Sequence, residues 1–277
     1  MGVVLGLLVA ASFGTGDFLG GLASRQAKTL AVLAVAQLAA VCLAVVVAFA
    51  VGGTVYAHDV EFGVVAGVLN VAAIGCLYRG LAIGQMGRVA PVAAVIGAVV
   101  PVLWGVARGE SLSGFEIAGI VLAVAAAGLL SSEPDERSGP LFGQALLLAT
   151  VAGAGFGVSL ILFSAASHHG SMWPVLGARG AACVAVWLLL LVRRGVPSLA
   201  AVPKADASAA GVFDVGASMI LLVTLKSHLT AVIAPVASLA PAFTAGHAWW
   251  YLHERVSRLQ LVGLVVALAG LALIAVN

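Results

Sequence analysis

The chain has 277 residues, of which 62% are hydrophobic and only 9% charged, with a mean hydropathy of +1.17 and a formal net charge of +2. A water-soluble domain carries about 25% charged residues, so this composition excludes one, and the near-neutral charge gives no sign of a nucleic-acid partner. The apolar residues come in blocks long enough for transmembrane helices of about 20 residues, which makes the chain a polytopic membrane protein.

Ten spans can be marked between polar or Gly/Pro punctuation: 2–24, 30–51, 62–83, 89–107, 114–131, 141–165, 172–192, 208–226, 230–251 and 258–276. Met1–Ala11 has no positive n-region, so the first span is expected to remain in the mature protein and not to be cleaved as a signal peptide. Small residues recur at helix-contact spacing, as in Gly2/Gly6, Gly16/Gly20 and Gly153/Gly157. Cys42, Cys76 and Cys183 fall in apolar segments without a shared short spacing and read as packing residues, with no disulfide framework. His168-His169 reads as an external loop; with no acidic or thiolate partner nearby in sequence, no metal is implied.

The chain repeats itself. Ala90-Pro91-Val92-Ala93, Glu110, Ser113 and Gly119 return 144 positions later as Ala234-Pro235-Val236-Ala237, Glu254, Ser257 and Gly263. Without gaps, residues 63–133 and 207–277 are identical at 19 of 71 positions, where chance in so biased a composition gives roughly 7. The polar connection Ser131–Pro140 falls between spans five and six. It divides the chain into a first repeat (1–131), a linker (132–140) and a second repeat (141–277). Five helices per repeat is odd, so the second repeat enters the membrane from the opposite side, the inverted-repeat architecture of many secondary transporters.

Loops after spans one, three, five, seven and nine hold Arg25, Lys28, Arg88, Arg137, Arg193, Arg194, Lys204, Arg255 and Arg258, against Arg108 and Lys226 on the other side. Positive loops stay cytoplasmic, so both termini are expected outside.

On these residues the chain resembles the ten-helix EamA type of the drug/metabolite transporter superfamily. Its marks are an early proline in the fourth helix of each repeat (Pro91, Pro235), a turn with Glu and a small hydroxyl (Glu110/Ser113, Glu254/Ser257), and a glycine in the next helix (Gly119, Gly263). Phe13-Gly14 stands where Trp-Gly is commoner, and His253 precedes Glu254 where Gly is usual. Pro101 has no proline counterpart, and Pro241 stands opposite Gly97, so the two fourth helices are expected to bend at different depths. The resemblance implies an alternating-access carrier with a central cavity between the repeats. It leaves the cargo open among amino-acid-like, nucleoside-like and drug-like solutes.

Ionisable residues at bilayer depth are expensive and ask for a reason. Asp17 lies roughly 22 Å along the first helix and Arg79 reaches a similar level from the third, with Gln37 not far off. An Asp17–Arg79 pair hydrogen-bonded by Gln37 is expected, either as a structural clamp or as a cytoplasmic gate or proton site. Asn70 and Asp214 are repeat equivalents, roughly 10–12 Å in from opposite faces, and are the expected substrate contacts near the midplane. Asp214 could bind a cation, carry a proton, or face interfacial water. Tyr78 and Trp104 are candidate aromatic walls of the cavity, and His247 a candidate titrating group or a packing residue. Trp249, Trp250 and Tyr251 read as an interfacial belt. Glu110 and Glu254, with Ser113 and Ser257 as helix caps, read as structural turns, and Pro91, Pro235, Pro101 and Pro241 as hinges.

No Walker motif is present, so a proton gradient or the solute's own gradient is the expected driving force, and no cofactor is implied. Intramembrane-enzyme motifs are absent as well, and a non-transporting scaffold would tolerate loss of Asn70 and Asp214. An inverted-repeat monomer contains both halves of a pathway, so a monomer suffices.

Overall fold

In a computed structural model the described residues are 2–109, 113–132, 141–166, 172–192, 199–225, 239–254 and 257–275. Among them the regular structure is helical, as expected for a chain whose backbone polar groups must be satisfied within lipid. The helices are α1 (Gly2–Gln26), α2 (Thr29–Val51), α3 (Ala57–Ile83), α4 (Met86–Ala107), α5 (Gly114–Ser132), α6 (Phe142–Ala166) and α7 (Trp173–Val192). A 3₁₀ turn (Leu199–Ala201) precedes α8 (Lys204–Leu225), α9 (Ala240–Leu252) and α10 (Arg258–Ala275). Of these, α1, α2, α3, α4, α6 and α7 are long and apolar enough to cross a membrane. Their outward faces, with that of α9, carry exposed Val46, Phe49, Leu147, Leu191, Trp249 and Trp250, apolar surface that suits lipid and not water.

Two helices start earlier than their hydropathy suggests. The first turns of α3 and α8 are polar, but Asp59 and Asp206 there complement the positive end of the helix dipole and extend each helix toward its N-terminus. The shift matters, because it moves Asn70 and Asp214 deeper than a hydropathy boundary places them.

Helix neighbours are mostly not sequence neighbours. α3 packs along α6 and α7, α1 against α8 and α9, α2 against α7 and α8, α4 against α6 and α9, and α10 against α5 and α4. Two crossings depend on glycine in the same way. A β-carbon on Gly67 of α3 would strike the backbone of Ala178 in α7, and one on Gly211 of α8 would strike the backbone of Ala36 in α2. Backbones at such contact gain close packing where no side chain intervenes. The largest core joins Phe18, Leu33, Leu77, Leu81, Met86 and Val89 from α1 through α4.

Pro91 is buried inside α4 and Pro101 lies further along the same helix, so both are internal prolines. Pro241 is not. It occupies the first turn of α9, where no intrahelical N–H bond is lost and no kink is forced. The expected mid-helix bend there is therefore replaced by a helix start, while Pro235 and the expected start of that span at 230 lie outside the described residues. Glu110, Arg137, His168, His169, Arg193, Arg194, Lys226 and Arg255 also lie outside them.

Candidate functional site

The central polar cluster is assembled from α1, α3, α7 and α8. Gly16 lets α1 approach the backbone of Ala210 and Asp214, which sets the adjacent Asp17 beside the same turn of α8. Asp17 lies nine residues from the end of α1 and Asp214 ten from the start of α8, about 14 and 15 Å along the two helices. Those ends share one side of the bundle, so the two carboxylates sit at nearly one depth, close enough to interact electrostatically. A depth estimate from hydropathy alone starts α8 at 208 and places Asp214 only about 9 Å in.

Arg179 of α7 completes the cluster. Its Nη1 forms an ion pair with Asp214 Oδ2, and its Nη2 donates to Ser218 Oγ at 2.8 Å. Ser218 Oγ in turn donates to Asp214 O at 2.9 Å, so one hydroxyl accepts from the arginine and donates to the helix. Asp214 and Ser218 are one turn apart on α8, the spacing that puts two side chains on one face. The Arg179 side chain is 8% exposed and that of Asp214 18%, so the pair sits largely out of solvent. Tyr78, 2% exposed, lies within electrostatic reach of Asp214, Asp17 and Arg179. Its ring covers Gly20, where any β-carbon would overlap it.

The expected Asp17–Arg79 pair does not form. Arg79 is four residues from the end of α3, about 6 Å, and is exposed, a position from which its long side chain reaches the interface. Asp17 has no hydrogen-bonding or basic partner among the described residues. Gln37 joins neither residue; it is 2% exposed where α2 meets α8, and its Oε1 is buried without a donor among the described residues. Asn70 is half-buried on α3, about two turns before Tyr78, and makes no hydrogen bond among the described residues. Trp104 does not line the cluster. It is half exposed near the end of α4, with the Arg108 guanidinium 6.0 Å from its ring. His247 is a packing residue in geometry: its ring stacks on Phe18 at 5.4 Å and its Nδ1 donates to Phe243 O at 2.6 Å.

A second polar assembly closes one end of the bundle. Glu254 is 6% exposed, accepts from Arg25 at 2.8 Å and from Met86 N at 3.1 Å, and so caps the N-terminus of α4. Arg25 also donates to Leu81 O and Gly84 O at the end of α3. The turn Glu does more than hold its own hairpin: it ties α1, α3 and α4 to the α9–α10 turn. That turn places His253 in the left-handed region, φ 53°, and the repeat-equivalent Gly109 also has positive φ, 90°. The departure from Gly at 253 thus keeps the geometry at some strain.

The sequence reading singled out neither Ser218 nor the Arg25–Glu254 contact. The Asp214/Ser218 spacing on α8, one helix after Arg179, was the available signal.

Charged side chains packed this far between apolar helices are costly in a bilayer and mark a candidate functional site. Residues 143–276 match the EamA-like transporter family, within the drug/metabolite transporter superfamily, so the second half of the chain is similar to a family of membrane transporters. No curated protein matches the chain.

Proposed function

We propose that the protein is a secondary carrier of ten spans, arranged as two inverted five-helix repeats with both termini outside a bacterial plasma membrane. It moves a small metabolite or amphiphile by alternating access past the Asp17–Tyr78–Arg179–Asp214 cluster. Support for the repeat comes from its echo in packing: Gly67 on Ala178 and Gly211 on Ala36, with partners 144 and 142 positions apart, and Gly109 and His253 sharing positive φ. Inverted-repeat carriers place substrate and coupling ions near the midplane, between the halves.

The observation that carries the mechanism is a charge imbalance. Two carboxylates face one guanidinium, and the guanidinium is engaged by Asp214 and Ser218. Asp17 is left as the carboxylate that needs a proton or a cationic group of the solute, and either one neutralises the cluster. Binding of one and release of the other at Asp17 would couple solute movement to protons. Tyr78 offers a phenol to orient the solute.

Reconstituted liposomes loaded with a mixed metabolite pool test this reading. Saturable flux that accelerates with a pH gradient is expected, and in Asp17→Asn the flux should lose its dependence on the gradient. No saturable flux for any solute sinks the carrier reading, and flux indifferent to the gradient in the native protein leaves facilitated transport. For topology, a cysteine placed at Asn277 should react with an impermeant reagent from outside; labelling from the cytoplasm alone inverts the orientation.

A further inference from the structure

A cleft of about 420 Å³ opens between α9 and α10, where α9 rests on α1 and α4 while α10 rests on α4 and α5. Its walls are apolar: Ala242, Gly246 and Trp249 from α9, Leu261 and Leu264 from α10. The volume lies within the ~300–1,000 Å³ range of ligand sites. Trp249 and Leu261 are exposed, as are their neighbours Trp250, Val262 and Val265, so the cleft opens on the lipid-facing side of the bundle.

One end of the cleft is polar. Gln85, Glu254, Ser257 and Arg258 form a mouth at the level of the α3–α4 and α9–α10 turns. The Glu254 carboxylate is already neutralised by Arg25 and capped by Met86 N–H. Arg258 is exposed and has no ion-pair or hydrogen-bond partner among the described residues. The free charge at the mouth is therefore positive. From Arg258, α10 descends six residues to Leu264, about 9 Å of apolar wall below the charge.

We propose that this cleft is a binding site for an anionic glycerophospholipid, with an acyl chain between α9 and α10 and the phosphate at Arg258. An apolar slot open to the bilayer, with a free cation at the headgroup level, matches an anionic lipid on both counts, and basic pockets between transmembrane helices take such headgroups. The leaflet is the one holding the α9–α10 turn, the cytoplasmic leaflet in the topology above. Because the headgroup would sit against the Arg25–Glu254 contact, lipid occupancy and the closure of that end of the bundle are physically adjacent.

Gly246 makes the test clean. It is exposed and a β-carbon there meets nothing within 4 Å, so Gly246→Phe fills the cleft without a clash at Cβ. The full chain is reconstituted in nanodiscs with phosphatidylglycerol or with phosphatidylcholine, extracted, and retained lipid counted by native mass spectrometry. Retained phosphatidylglycerol over phosphatidylcholine is expected, lost in Gly246→Phe and weakened about fivefold in Arg258→Gln, the value of one basic side chain near a membrane surface. Gly143→Phe, at a glycine with equal free space at the start of α6, should retain lipid as the native chain does and controls for a surface aromatic. Retention unchanged in Gly246→Phe overturns the site. So does equal retention of both lipids with no response to Arg258→Gln, and so does loss of a dimer instead of a lipid in Gly246→Phe, which would make the cleft a contact between two copies.

Discussion

Replacing Asp214 by Asn leaves the Arg179 guanidinium charged, because arginine does not release its proton, in a site where its side chain is 8% exposed. Removing one partner of a buried pair costs about 3–5 kcal/mol. Here the loss should be smaller, because Ser218 Oγ still accepts from Nη2 and the carbonyl oxygen of the introduced amide can accept from Nη1. We expect about 2–3 kcal/mol for Asp214→Asn, and a similar loss for Arg179→Gln, which leaves Asp214 and Asp17 facing each other without a cation. The double variant is the informative one. The equivalent positions of the first repeat are Gln37 and Asn70, so Arg179→Gln with Asp214→Asn gives the second repeat the neutral residues that the first has at those positions. It should unfold within about 1 kcal/mol of the native chain, a coupling energy of about 3 kcal/mol. The assay is a double-mutant cycle by thermal or denaturant unfolding in detergent, with proteoliposome flux measured on the same four proteins. Flux should be lost in all three variants, stability only in the singles. A coupling below about 0.5 kcal/mol means the two side chains act independently and refutes the pair. Native flux in the double variant refutes its part in transport.

Glu254→Ala strands both Met86 N–H and Arg25, and should lower unfolding stability by about 2–3 kcal/mol, while Glu254→Gln, which keeps an acceptor for Met86, should lose about half of that. Gly67→Val and Gly211→Val push side chains into the backbones of Ala178 and Ala36 and should abolish the monodisperse peak in size exclusion, whereas Gly246→Ala, with open space around it, should leave it unchanged. His253→Gly relieves a left-handed residue at φ 53° and should leave thermal stability equal or higher despite losing the His253–Trp250 hydrogen bond; His253→Val, branched at Cβ, should lose about 1–2 kcal/mol.

The 144-residue repeat made the frame legible but not the contacts, and the reason is geometric. A repeat identifies positions that play the same part in two halves; it does not say that those positions meet. Asn70 and Asp214 are such equivalents, yet the groups that Asp214 engages are Arg179, Ser218 and Asp17, none of them its equivalent. Within one repeat, what brought Arg179 to Asp214 was the packing of both α7 and α8 on α2 and a side chain long enough to reach between them. Depth estimates failed for a related reason: hydropathy marks where apolar residues begin, whereas helices begin where their N–H groups find an anion. Asp59 and Asp206 start α3 and α8 several residues before the apolar run, which sets Asp214 deeper, near the level of Asp17, while Arg79 lies four residues from the end of α3. Glu254 shows the converse. Its role as a turn residue was readable from Ser257 and the repeat, but its partners Arg25 and Met86 lie 229 and 168 residues away, and no local pattern encodes them. In a chain with 9% charged residues, each buried charge has few possible partners, so a buried arginine with no partner in its own helix is the signal to follow toward the next helix of the same repeat.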